Sequence, residues 1–133
     1  HRLEIIYNGT EEAGFRLNTD ADRLAQVFIN LISNAQKYCQ AEAPRLTITL
    51  RETARHLEVE FADNGAGIPE RQRSLIFEKF VRLDGTRPAQ GAGLGLAISR
   101  EIMQRLGGGL HYVPSEGGAV FLVRLPKAEA RAA

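Results

Sequence analysis

Residues 20–38 read DADRLAQVFINLISNAQKY. Thr19 or Asp20 offers an N-cap, and Leu24, Val27, Phe28, Leu31, Ile32 and Ala35 follow at helical spacing. At 100° per residue these side chains share an arc of roughly 140°, the apolar face of a helix laid on a core. A second row runs beside it: Arg23, Gln26, Asn30, Asn34 and Lys37 fall within an arc of about 100°. Asparagine inside a helix costs about half a kcal/mol against alanine, because its amide competes for backbone hydrogen bonds. Two asparagines one turn apart, continued by Lys37, read either as a face built to coordinate something or as a solvated face that carries amides.

The chain around this helix has 133 residues, 44% hydrophobic and 25% charged, with a formal net charge of +1. That is one globular domain with a core of its own. The near-neutral charge gives no electrostatic case for nucleic acid or a membrane surface, so an anion must be held by a local site. No apolar run reaches membrane-spanning length and no signal peptide is visible. The single Cys39 cannot pair internally, fits a reducing compartment and reads as a packed thiol. The abrupt start at His1-Arg2 reads as a boundary inside a longer protein.

Outward from the helix, Leu3–Tyr7 is a short apolar strand ended by Asn8-Gly9, and Phe15–Leu17 is a second brief one. Leu46, Ile48 and Leu50 alternate with polar residues, as do Leu57, Val59 and Phe61, and the short link Glu52–Arg55 makes the pair an antiparallel hairpin. Pro69 suits the first position of a short helix, with Leu75, Ile76, Phe77 and Phe80 as an apolar cluster behind it. Leu83–Gly91 is a polar loop. Helical spacing returns from Leu94 to Leu106 through Leu96, Ala97, Ile98 and Ile102, and Gly107–Gly109 stops it. Leu110–Val113 and Ala119–Leu125 are strands joined by a turn at Glu116-Gly117-Gly118, and residues 127–133 form a frayed tail. The expected architecture is α+β in two layers, a sheet with helices on one face.

Two glycine-rich segments break the periodicity. Asp63-Asn64-Gly65-Ala66-Gly67 follows a buried strand, where a carboxylate accepts a hydrogen bond from an exocyclic amine and glycines let backbone approach a flat ligand or reach positive φ. A plain turn explains the same residues. Gly91-Ala92-Gly93-Leu94-Gly95 opens the last helix, where exposed N–H groups and the helix dipole suit phosphate. It is not a dinucleotide fingerprint, since the spacing differs and no βαβ unit surrounds it, and it is no Walker A loop. Asn30 and Asn34 supply oxygens suited to Mg²⁺, and Lys37 and Tyr38 would face phosphates and a base. Together the three sites converge on a nucleoside triphosphate.

In these motifs the chain resembles the catalytic, ATP-binding domain of bacterial two-component sensor histidine kinases, in the superfamily that includes gyrase, Hsp90 and MutL. Residues 26–38 (QVFINLISNAQKY) match the N box, residues 63–69 the first glycine box, residues 76–82 (IFEKFVR) the F box and residues 91–96 the second glycine box. The resemblance covers nearly the whole chain: a catalytic domain over residues 1–126, an ATP lid at about 81–95 and a tail over 127–133. It implies a two-layer sandwich, a mixed sheet of about five strands under three helices.

The resemblance also implies roles. Asn30 would ligate Mg²⁺, with Asn34 and Lys37 beside the phosphates of ATP. Tyr38 would stack near adenine, Asp63 would bond its amino group, and Gly65, Gly67 and Ile68 would line the pocket. Arg82 would reach the γ-phosphate, making Asn30, Lys37 and Arg82 the catalytic set. Phe77 and Phe80 would pack the lid root, and Gly91, Gly93, Leu94, Gly95 and Leu96 would form its hinge and phosphate cradle. Asn30 stands where hydrolysing members carry a glutamate, and an amide cannot act as general base, so transfer to a protein is favoured over hydrolysis.

The implied acceptor is a histidine on a dimeric helical hairpin, on the same chain or its dimer partner. His1, His56 and His111 all lack the residues that mark such an acceptor. A response-regulator receiver would be the next partner. The fragment alone would be monomeric, its parent a cytoplasmic-facing, inner-membrane-anchored homodimer. Two other readings are a nucleotide-binding regulator without turnover and an anti-sigma-type serine kinase of the same superfamily.

Overall fold

The computed structural model describes residues 3–8, 20–78 and 95–127. Within these, the order is β1 (Glu4–Asn8), α1 (Ala21–Tyr38), β2 (Arg45–Glu52), β3 (His56–Asp63), a 3-10 turn (Glu70–Gln72), α2 (Gly95–Arg105), β4 (Gly109–Val113) and β5 (Val120–Pro126). The strands form one sheet in the order β1-β2-β3-β5-β4. β1 runs parallel to β2, and every other neighbouring pair is antiparallel. The mixed sheet and the α+β class agree with expectation. Two α-helices and the 3-10 turn stand where three helices were expected, among the described residues.

α1 begins where a side chain can satisfy its first free amides. Asp20 is the cap, its Oδ1 accepting from the N–H groups of Asp22 and Arg23 at 3.1 and 3.2 Å. The helix buries Val27, Leu31 and Ala35, with Leu24, Phe28 and Ile32 partly covered. Phe28 meets Phe61 of β3 at 5.5 Å between ring centroids, fastening the helix to the sheet. α2 buries Leu96, Ala97, Ile102 and Met103 and ends at Gly107, whose φ of +85° supplies the left-handed residue that stops a helix.

The inner face of the sheet brings Leu46, Val59, Phe61, Leu110, Phe121, Val123 and Leu125 into one core with both helices. The outer face is polar, with Arg51–Glu60 and Arg124–Glu58 ion pairs at 3.0 and 2.8 Å. Partly exposed pairs on a sheet surface contribute little to stability, so the core holds the layers together.

Some sequence expectations shift. β1 extends through Asn8, into the expected turn, and Pro69 caps the 3-10 turn instead of opening a helix. Of the cluster after Pro69, Ile76 is buried and Phe77 partly so, but Leu75 is 39% exposed, because the chain there runs as turns whose side chains do not share one face. The expected strand Phe15–Leu17, the loop from Leu83 to Gly91 and most of the lid and tail lie outside the described residues.

Candidate functional site

At one end of the candidate site, α1 touches the start of α2. Asn30 is half-buried, and its Nδ2 donates to Ser99 Oγ at 3.0 Å and to the Gly95 carbonyl at 3.5 Å. A carbonyl only accepts, so the nitrogen of the amide faces α2 and Oδ1 points elsewhere. Among the described residues nothing donates to that oxygen. Gly95 opens α2, and among the described residues nothing stands within 4 Å of where its Cβ would be. Asn34 is half-buried and Lys37 exposed on the same row. Lys37 also lines a cleft of about 480 Å³ with Leu3, Cys39 and Pro44 beside the α1–β2 connection. Leu96, expected in the cradle, packs into the core. Phe80, Arg82, Gly91, Gly93 and Leu94 lie outside the described residues.

At the other end, β3 delivers Asp63 to the glycine loop. Asp63 Oδ1 accepts from the Gly65 and Ala119 N–H groups at 2.9 and 3.0 Å. Among the described residues no group donates to Oδ2. Asn64 ties the loop to the chain after α1: its Oδ1 accepts from Arg45 N–H at 2.8 Å and from the Cys39 thiol at 3.2 Å, and its Nδ2 donates to the Ala43 carbonyl at 2.9 Å. Cys39 is buried and packed against Gly65, as a structural thiol. Gly67 has a φ of +80°, as a glycine there allows, whereas Gly65 does not adopt positive φ. Tyr38 is half-buried at the end of α1.

Below the loop, Ile68 is in the core; its N–H donates to Tyr112 Oη at 3.3 Å and its carbonyl accepts from Arg73 Nε at 3.0 Å. Arg73 lies over the Tyr112 ring at 5.5 Å, and Phe121 meets both Tyr112 and Phe77 edge-on at 5.5 and 6.3 Å. Arg100 of α2 covers Phe77 at 4.8 Å. An aromatic and guanidinium stack therefore joins the glycine loop to α2.

One helix serves both ends. From Asn30, against α2, to its end at Tyr38, next to the Cys39 that packs on the glycine loop, α1 rises about 12 Å. Among the described residues no group of three or more His, Cys, Asp or Glu could hold a metal ion. A cation at Asn30 would complete its shell from water and ligand oxygens, the habit of Mg²⁺.

The model of the histidine kinase-, DNA gyrase B- and HSP90-like ATPase family matches residues 19–129. The chain belongs to this family. Among curated proteins, the ATPase domain is 38% identical over 119 residues to the signal transduction histidine-protein kinase/phosphatase MprB of Mycobacterium sp. (strain KMS), covering 85% of this chain and 23% of that protein. It is 38% identical over 128 residues to the sensor protein VanS of Enterococcus faecium, covering 95% of this chain and 32% of VanS. The chain thus spans less than a third of the curated relatives it matches here. Among solved structures, a mycobacterial sensor histidine kinase MprB superposes with a TM-score of 0.79 at 28% identity, covering 94% of this chain and 84% of that one. Full-length ShkA in complex with AMPPNP superposes with a TM-score of 0.75 at 28% identity, covering 95% of this chain and 26% of that one. This is a histidine-kinase-like ATPase domain whose relatives are sensor kinases, and that membership supports ATP binding.

Several contributors escaped the sequence reading. Ser99 is fully buried and anchors Asn30, and its spacing of three from both Leu96 and Ile102 was the available signal. Tyr112, Arg73 and the Gly118-Ala119 backbone gave no local sign, since their contacts span long sequence separations.

Proposed function

We propose that this domain binds Mg·ATP and passes the γ-phosphoryl group to a histidine on a phosphoacceptor domain, in two-component signalling. The observation that supports this most directly is the state of Asn30, whose nitrogen is committed to α2 while its oxygen meets no donor among the described residues. In this reading Oδ1 ligates Mg²⁺, which when bound would neutralise charge on the phosphates. Asn34 and Lys37 flank those phosphates, and the backbone at Gly95 receives them at the start of α2. Asp63 takes the adenine amine through Oδ2, Gly65 and Gly67 line the ring, Tyr38 covers it, and Ile68 and Phe77 form the wall behind. Arg82, Phe80, Gly91, Gly93 and Leu94 enter through the family resemblance alone.

Transfer forms a bond from phosphorus to an imidazole nitrogen of the acceptor and breaks the bond to the β-phosphate oxygen, which leaves with ADP. The domain contributes position and charge complementarity. Hydrolysis is disfavoured, because Asn30 has no basic lone pair with which to activate water. We further propose that the parent is a homodimeric sensor anchored in the inner membrane, that this domain faces the cytoplasm, and that a response-regulator receiver takes the phosphoryl group onward. Among the described residues no helix is long and apolar enough to cross a membrane.

The test mixes the domain with its phosphoacceptor hairpin and γ-labelled ATP. Acid-labile, base-stable label on the hairpin is the expected result. ATP binding with no label at any concentration of hairpin would replace this reading with that of a regulatory module. Base-labile label on serine would point to the anti-sigma-type kinase.

A further inference from the structure

The turn between β4 and β5 carries no assigned role, yet it is built against the glycine loop. One backbone hydrogen bond joins Asp63 to Ala119 beyond the end of the β3–β5 ladder, the Asp63 N–H donating to the Ala119 carbonyl at 3.0 Å. The Ala119 N–H, in turn, donates to Asp63 Oδ1 at 3.0 Å. Gly118 is buried against Asp63. A Cβ at Gly118 would stand closer than 3.0 Å to both the carbonyl oxygen and Oδ1 of Asp63, a separation real Cβ atoms essentially never show. Gly118 does not adopt positive φ, so the need for glycine there is one of space and not of backbone conformation. The next glycine of the loop leans on the same turn: a Cβ at Gly67 would meet the Gly117 carbonyl at 3.0 Å.

The carboxylate is therefore gripped on one oxygen. Gly65 N–H and Ala119 N–H both bind Oδ1, which fixes the rotamer and leaves Oδ2 as the atom available to a ligand. An ionised carboxylate accepts and cannot donate. Held in one orientation, it pairs with a purine bearing a 6-amino group and opposes one bearing a 6-oxo group, whose own acceptor would face it. A carboxylate free to swing could turn aside and let a water bridge to the 6-oxo group, so selectivity depends on what fixes it.

We propose that Gly118 and the Ala119 N–H are positioning groups for base selection, aiming Asp63 Oδ2 at the 6-amino group of adenine and thereby excluding 6-oxo purine nucleotides. This rests on the reading of Asp63 given above. The β4–β5 turn is then part of the specificity apparatus, although neither residue touches the nucleotide through a side chain.

Calorimetric titration of the domain with ATP and with ITP, which differ at the 6-position, tests this. The wild type should prefer ATP by on the order of a hundredfold, as expected where a polar pocket group is left mismatched. Asp63→Asn should erase most of that preference. Gly118→Ala should cut the ATP:ITP ratio about tenfold or more, through loss of ATP affinity with ITP nearly unaffected. An unchanged ratio in a folded Gly118→Ala protein, whether both affinities hold or both fall together, overturns the proposal. Should that variant not fold, replacing the Gly118–Ala119 amide by an ester through semisynthesis removes only the N–H to Oδ1. A ratio reduced several-fold supports the assignment, and an unchanged one overturns it. A wild type without preference, or a preference surviving in Asp63→Asn, would instead bring down the reading of Asp63, and the proposal with it.

Discussion

Asn30 of α1 donates to Ser99 of α2 at 3.0 Å, and Ser99 has no solvent exposure at all. A buried hydroxyl on an otherwise apolar helix face is costly to hold without a partner, and the amide is that partner. The Gly95 carbonyl, which only accepts and which the same amide nitrogen reaches at 3.5 Å, decides which end of Asn30 faces the candidate phosphate site. Stability and orientation are thus set by two bonds from one amide nitrogen to the other helix.

Ser99→Ala should cost about 1 kcal/mol of stability, since the amide loses a partner but can still reach Gly95 or water. It should also weaken Mg²⁺-dependent ATP binding more than metal-free binding, because Asn30 is then held toward α2 only by the 3.5 Å bond to the Gly95 carbonyl. Urea unfolding and calorimetry with and without Mg²⁺ read the two effects. Equal loss in both titrations would mean that Ser99 only holds the helices together.

Asn30→Ala should remove the Mg²⁺ dependence of ATP binding and phosphotransfer while adenine affinity partly remains. Titration with AMPPNP at graded Mg²⁺ reports this without turnover. A metal response equal to wild type would exclude Asn30 as the ligand.

Asp63→Asn should weaken ATP by about 2 kcal/mol, because an amide that keeps its oxygen on the Gly65 and Ala119 N–H groups presents a donor where the pocket needs an acceptor. Calorimetry checks it, with far-ultraviolet circular dichroism to show that the fold survives. Wild-type affinity in this variant would move the base elsewhere.

How far the sequence carried these assignments follows from what periodicity reports. α1 and the β2–β3 hairpin were legible because their contacts lie within one element or across a short link, and Asp20, Val27, Leu31 and Phe61 sit where spacing put them. Periodicity says which face a residue occupies and not which strand lies beside it. Neither the parallel β1–β2 pairing nor the place of β5 between β3 and β4 could be read that way. Ser99 is not legible in the sequence because a small polar residue resembles surface, nor is Gly118, because a turn glycine has an easier explanation than close packing.

Gly67→Ala should destabilise the domain by roughly 1–3 kcal/mol, since a side chain is forced into φ of +80° and its Cβ would crowd the Gly117 carbonyl at 3.0 Å. The midpoint of urea unfolding measures it. Gly65→Ala, free of positive φ, should cost less, and equal costs would show that conformation is not the governing factor.

Because both ends of the candidate site hang on α1, that helix works as a ruler with residue-sized graduations. Adding or removing one residue between Asn30 and Cys39 would turn everything beyond it by about 100° and shift it by about 1.5 Å. The row of amides would then part company with the loop that meets Cys39. Change in this segment is open to substitution and closed to insertion, so any divergence in what the domain accepts has to be written in side chains at a fixed count.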